Sequence, residues 1–189
     1  MPGETVDLAR FLIGTTLVHR TSTGVLAGRI VESEAYVVGD ASSHAFRGPT
    51  DRNRAMFLEC GHAYVYLIYG LSWCLNVSSE VAGVGAAVLI RAVEPLVGLE
   101  EMRRRRGSDR PERDLTRGPG RLCRAFGIDR RLDGVDLCAG GPLGLCAPVR
   151  RPGEIGASVR IGLTRETERV LRFYERANPY VSGPAALRR

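Results

Sequence analysis

Apolar and polar positions change their spacing along this chain, and each change marks an element. Residues 6–13 (VDLARFLI) carry apolar side chains at helical spacing and predict a short amphipathic helix. Residues 15–20 and 25–36 read as two strands around the Thr21-Ser22-Thr23-Gly24 turn. The stretch from Gly39 to Arg54, rich in Gly, Ser and Asp, reads as a loop. Residues 63–69 and 72–79 predict a hairpin with Tyr69-Gly70-Leu71 at its tip. A buried strand over 86–93 is interrupted by Arg91. A helix over 95–106 begins at Pro95 and ends in Arg103 to Arg106, a polarity that suits the helix dipole.

The second half is more broken. Residues 107–120 are Gly, Pro and charge and predict a mobile surface loop, from which Gly118-Pro119-Gly120 leads into a short helix over LCRAFGI. Residues 129–157 read as turns and short strands, and residues 158–163 and 169–174 as late strands. The tail after Pro179 is expected to be poorly ordered. Strands dominate the first half and helices are few. The expected class is α+β, with a largely antiparallel sheet in one compact domain over residues 1–189.

One strand is poor core material. In Arg29 to Tyr36, strict alternation puts Ile30, Glu32, Glu34 and Tyr36 on one face. Two carboxylates and an aromatic ring suit a pocket in which a flat ring stacks and a water is deprotonated. Tyr64, Tyr66 and Tyr69, further along, supply a second stacking surface and a wedge. The combination suits an enzyme that works on a nucleobase. Alternation alone does not choose between Glu32 and Glu34, although a salt bridge with an arginine is the preferred reading for Glu32. Arg91, in an apolar strand, must be paired or reach a site. His44 lies in the polar loop between the two aromatic clusters.

Composition narrows the chemistry. Hydrophobic content is 44% and charged content 25%, ordinary for a globular protein. No apolar run has the length of a membrane span and MPGETVDLAR does not read as a signal peptide, so an intracellular location is expected: cytoplasm or nucleoid if bacterial, nucleus if eukaryotic. Five cysteines without a CxxC pair read as reduced thiols, and three histidines without ligand spacing give no reason to expect a metal or other cofactor. The net charge of +6 favours a polyanionic partner. All 27 basic residues are arginine, so no lysine amine can form a Schiff base.

The residues quoted so far, read in order, carry a resemblance. Arg29 to Tyr36, His44, Thr50 with Arg52-Asn53-Arg54, Tyr64 to Gly70, Asn76 to Ser79, Arg91-Ala92, Gly118-Pro119, Arg160-Ile161-Gly162 and Leu171 to Tyr174 resemble the alkyladenine (3-methyladenine) DNA glycosylases of the mammalian type. The pairing of RIVExEAY with YVYxIYG at this distance is its most specific part. The resemblance implies a curved sheet whose protruding β-hairpin inserts into DNA. It also implies a monofunctional enzyme that flips alkylated or deaminated purines out of duplex DNA and hydrolyses the N-glycosidic bond. It would act as a monomer, without a cofactor, on the class that includes 3-methyladenine, 7-methylguanine, hypoxanthine and ethenoadenine.

By the same resemblance, Glu34 activates the attacking water and Arg91 positions water and phosphate. Tyr36 and Tyr66 sandwich the base, with His44 completing the stack. Tyr69 intercalates, Asn76 excludes the amino group of normal guanine, and the backbone carbonyl of Ile161 holds the water. The Tyr36–His44 loop is slightly shorter than in mammalian members, as is the segment between Ile161 and Phe173. Two alternatives stand beside this reading. One is a non-catalytic binder of damaged DNA. The other is a bifunctional glycosylase/lyase in which Pro2, freed of Met1, is the nucleophile.

Overall fold

The computed structural model describes residues 1–107 and 109–183. Helix α1 (Thr5–Leu12) leads into strands β1 (Thr16–Thr21) and β2 (Gly24–Tyr36). The hairpin of β3 (Ala63–Ile68) and β4 (Ser72–Ser78) comes next, then β5 (Ala87–Val97). Helices α2 (Leu99–Arg106) and α3 (Pro119–Phe126) follow, then the short strands β6 (Leu143–Cys146), β7 (Ile155–Ser158) and β8 (Arg172–Glu175). The protein is α+β, with an antiparallel sheet in the order β3-β4-β5-β2-β1-β6 that curls into a half-barrel. Among the described residues, no helix is long and apolar enough to cross a membrane.

The long strand β2 organises this sheet. Its first half lies between β1 and β5, and its second half, Glu32 to Glu34, lies between β5 and β8. The change of partner coincides with register shifts between Ile30 and Ser33. A bulge leaves residues unpaired and re-aims the side chains beyond it. Ile30 therefore joins Ala35 in the main core, with Leu8, Leu12, Val65, Leu75, Ile90 and Phe126, while Val31 packs in a second cluster with Ala92, Tyr174 and Val181. This corrects the expectation that Ile30 shares a face with the two glutamates. Ser33, also on the core side, donates to the Ala9 carbonyl of α1 at 2.8 Å.

Other boundaries move for identifiable reasons. The predicted helix at Pro95 begins only at Leu99, because Glu94, Pro95 and Val97 still pair with Arg29, Gly28 and Ala27. Proline is tolerated there because the ladder has a register shift between Ala27 and Gly28. The predicted mobile loop 107–120 is pinned: Leu115 and Thr116 are buried, and Thr116 donates its hydroxyl to the Val93 carbonyl at 2.6 Å. The predicted strand over 158–163 ends as β7 at Ser158. Beyond it, Arg160 and Ile161 bond to β2 side chains and carbonyls, and Gly162 turns the chain at φ +78°. The expected disorder after Pro179 falls partly on residues 184–189, outside the described residues; Val181 and Ser182 are buried.

Candidate active site

Strands β2 to β5 and the turn after β7 enclose a cavity of about 430 Å³. Its walls include Tyr36 from β2, His44 from the loop, Tyr66 from β3, Asn76 from β4, Arg91 from β5 and Ile161 after β7. Tyr69, at the hairpin tip, stands at its rim. The fold thus brings together seven of the eight site residues expected from sequence. The eighth, Glu34, is fully buried and sits behind Tyr36 and Arg91.

Glu34 is held by three donors. The Ile161 N–H donates to Oε1 at 2.8 Å, the Tyr36 hydroxyl donates to Oε2 at 3.2 Å, and Arg91 Nη1 lies 3.1 Å from Oε2. Arg91 also donates through Nε to Glu32 Oε1 at 3.1 Å. Burial works to lower the Arg91 pKa, but the charges of Glu34 and Glu32 prevail and raise it. Glu32 is the salt-bridged carboxylate that its neighbours suggested, since Arg172 reaches the same Oε1 at 2.6 Å. Arg91 is therefore shared between two carboxylates.

Aromatic rings form the rest of the cavity. His44 meets Tyr66 edge-on, with centroids 4.5 Å apart and planes at 80°. Tyr64 stacks against Tyr66 at 5.3 Å, and its hydroxyl shares a 2.9 Å hydrogen bond with His44 Nδ1. Burial pushes the Tyr64 phenol up to about 12. Burial also pushes the Tyr36 phenol above its ordinary range, with the Glu34 charge adding to it. Burial and then the Arg52 charge lower the His44 pKa, so its imidazole is neutral at pH 7. Asn76 donates from Nδ2 to the Tyr64 carbonyl at 3.1 Å, which fixes its amide against the cavity wall.

The hairpin tip is built for exposure. The Leu71 N–H donates to the Ile68 carbonyl at 3.0 Å, and both central residues, Tyr69 and Gly70, have positive φ, of 51° and 67°. Glycine adopts that region freely, whereas a tyrosine there is strained. Tyr69 is 84% exposed. A strained backbone that holds out a large apolar ring is a pattern found at functional sites.

Sequence reasoning missed several supports of this site. Asn53 pins the loop by donating Nδ2 to the His44 carbonyl at 2.8 Å and accepting from the Thr50 N–H at 2.6 Å. Arg160 is buried, pairs with Asp40, donates to the Ala35 carbonyl at 2.9 Å and lies over the Tyr36 ring. An arginine beside Ile161 was visible in the sequence, but nothing in its neighbourhood marked it as buried. Pro2 is not brought to the cavity: its carbonyl accepts from the Cys60 thiol and Gly3 accepts from the Glu80 N–H. Among the described residues, no group of three His, Cys, Asp or Glu side chains could hold a metal ion.

Comparison with known proteins decides what kind of site this is. The profile of the family described as Methylpurine-DNA glycosylase (MPG) matches residues 1–179. The chain belongs to the methylpurine-DNA glycosylase family. Relatives named "Putative 3-methyladenine DNA glycosylase" match nearly the whole chain. The Mesorhizobium japonicum protein is 60% identical over 187 residues, covering 99% of this chain and 89% of its own. The Paraburkholderia phytofirmans protein is 51% identical over 99% of this chain and 87% of its own. The Methanoculleus marisnigri protein is 48% identical over 95% of this chain and 94% of its own. The cavity is thus the candidate base-excision site of a DNA glycosylase.

Proposed function

We propose that this glycosylase is monofunctional and releases alkylated or deaminated purines from duplex DNA by flipping the nucleotide into the cavity and hydrolysing its N-glycosidic bond. The observation that supports this most is Glu34, a fully buried carboxylate held by Tyr36 and Arg91, which line an aromatic cavity. A carboxylate has about four lone-pair sites. Three named donors engage Glu34, so one remains to accept a proton from water.

A base inside a duplex cannot reach such a carboxylate, and unstacking it costs a few kcal/mol. Tyr69 fills the gap it leaves. Tyr36 and Tyr66 take the flipped ring between them, with His44 edge-on to Tyr66, and stacking returns about 1–3 kcal/mol per base. Asn76 crowds the exocyclic amino group of normal guanine. Glu34 takes a proton from the water as its oxygen bonds to C1′ and the C1′–N bond breaks, through an oxocarbenium-like state stabilised by the carboxylate charge. Arg91 and the Ile161 carbonyl orient the water. A purine made cationic by alkylation leaves without an acid, whereas a neutral one depends on hydrogen bonds from the cavity walls. The products are a free base and an intact strand with an abasic site. The +6 net charge supports duplex DNA as the partner.

The test is an end-labelled duplex holding one lesion, tried in turn with 3-methyladenine, 7-methylguanine, hypoxanthine and ethenoadenine. Strand breaks that need hot alkali, with no adduct trapped by borohydride, are the expected outcome. Breaks without alkali, or a trapped adduct, would show a lyase and overturn the monofunctional reading. Tight binding with no base release from any lesion would leave a damage-binding protein.

A further inference from the structure

The segment after β8 is tied to the carboxylates of β2. The Ser182 N–H donates to Glu32 Oε2 at 2.7 Å and its hydroxyl donates to Glu32 Oε1 at 2.8 Å. Its carbonyl accepts from Arg172 Nη2 at 2.8 Å. Both main-chain groups and the side chain of one serine are therefore spent on a single buried carboxylate and the arginine that pairs with it. Glu32 in turn holds Arg91, which reaches Glu34. The contacts run without a gap from the C-terminal segment to the proposed water-activating carboxylate.

The segment is seated firmly enough to do this. Val181 is fully buried against Val31, Ala92 and Tyr174. The Tyr180 hydroxyl donates to Glu112 Oε1 at 2.8 Å, and Asn178 donates to Glu175 Oε2 at 2.7 Å.

We infer that Ser182 is a positioning residue for base excision, which fixes the Glu32 carboxylate so that Arg91 presents one edge to Glu34. The physical need is clear. Glu32 Oε1 accepts from Arg91, Arg172 and Ser182 together, and a carboxylate free to rotate would present Arg91 with a different oxygen. A small misplacement of a group that orients a nucleophile is enough to slow a reaction steeply. Ser182 touches neither base nor water; it acts through Glu32 and Arg91.

This inference rests on the glycosylase reading, and the test separates the two. Full-length wild type, Ser182→Ala and Val181→Ala are compared on methylated duplex DNA under single-turnover conditions, and on an uncleavable duplex holding a reduced abasic analogue. Ser182→Ala is expected to slow base release by about tenfold at saturating enzyme, with affinity for the analogue within about twofold of wild type. Val181→Ala, which loosens the same segment by packing alone, is expected to lower the melting temperature and leave the rate unchanged. Release by Ser182→Ala at the wild-type rate would overturn the inference. So would an equal loss of rate in Val181→Ala, since the segment would then serve stability only. No release by wild type would instead strike the proposed function.

Discussion

The guanidinium of Arg160 lies 4.7 Å from the centroid of the Tyr36 ring, yet Arg160 does not line the cavity that this ring walls. Its Nε and Nη2 are buried without a hydrogen-bond partner, so the aromatic face is what they rest on. Its Nη1 ties Ala35 and Asp40 together, and its chain neighbour Ile161 donates to Glu34. Arg160 thus backs one wall of the cavity and anchors another. Burial works to raise the Asp40 pKa, but hydrogen bonds from Arg160 and Ser42 outweigh it and hold the carboxyl below its usual range.

Replacing Arg160 with Met should leave the Asp40 carboxylate buried without its cationic partner, held only by Ser42. Breaking a buried pair in this way costs about 3–5 kcal/mol. Urea denaturation should show that loss, and the double variant with Asp40→Asn should recover much of it. If the single and double variants are equally unstable, the ion pair is not what the site depends on.

At the hairpin tip, stability and function should pull apart. Tyr69→Gly removes a side chain from a positive-φ position, where strain costs about 1–3 kcal/mol. The variant should unfold at higher denaturant while binding a lesion duplex more weakly by about 1–3 kcal/mol, the worth of a stacked base. Unchanged lesion affinity would remove Tyr69 from the role of wedge.

Asn76→Ala should relax the exclusion of normal guanine. The Asn76 amide is fixed by the Tyr64 carbonyl, and its loss opens space where an exocyclic amino group would sit. Release of unmodified guanine should rise by about tenfold or more, within the range one group commonly commands. Liquid chromatography of bases freed from undamaged duplex DNA would detect it, and unchanged discrimination would count against this role.

Stability should fall in two stages as the pH drops. Burial lowers the pKa of His19, and burial with the Arg52 charge lowers that of His44, so the unfolded chain takes up protons first. Their contribution is intact above the unfolded value of about 6.5 and declines below it. For Asp40 and Glu175, burial opposes ionisation, but hydrogen bonds from Arg160 and Ser42 to the one, and from Arg29, Gly153 and Asn178 to the other, hold both below their ordinary values. Their contribution is present above about pH 4 and is lost as the pH falls through the folded values. Denaturant midpoints measured from pH 8 to pH 3 should show a gentle decline and then a steep one. His19→Gln should flatten the first. A rise in stability between pH 7 and pH 5 would contradict this account.

Local pattern carried a good part of this architecture. The hairpin of β3 and β4, the helix α1 and the first two strands lie within a residue or two of the sequence reading, because strict alternation and turn residues act locally. Glu34, Tyr36 and Arg91 stood out as candidates because they are the wrong residues for a core. What failed depended on partners distant in sequence. Ile30 changed face through register shifts of β2 against β5, and Pro95 stayed in a strand because Gly28 lay opposite. The contacts of Ser182 and Arg160 were illegible for the same reason, since their partners Glu32 and Asp40 lie more than a hundred residues away.

The central claim is that Glu34 activates the water, and one comparison tests it most directly. Wild type and Glu34→Gln would be given lesion duplexes under single-turnover conditions, with base release and binding measured on the same samples. A glutamine keeps the shape of the side chain and loses the base, so release should stop while lesion binding is kept or strengthened. Release by Glu34→Gln at a rate near wild type would contradict the assignment.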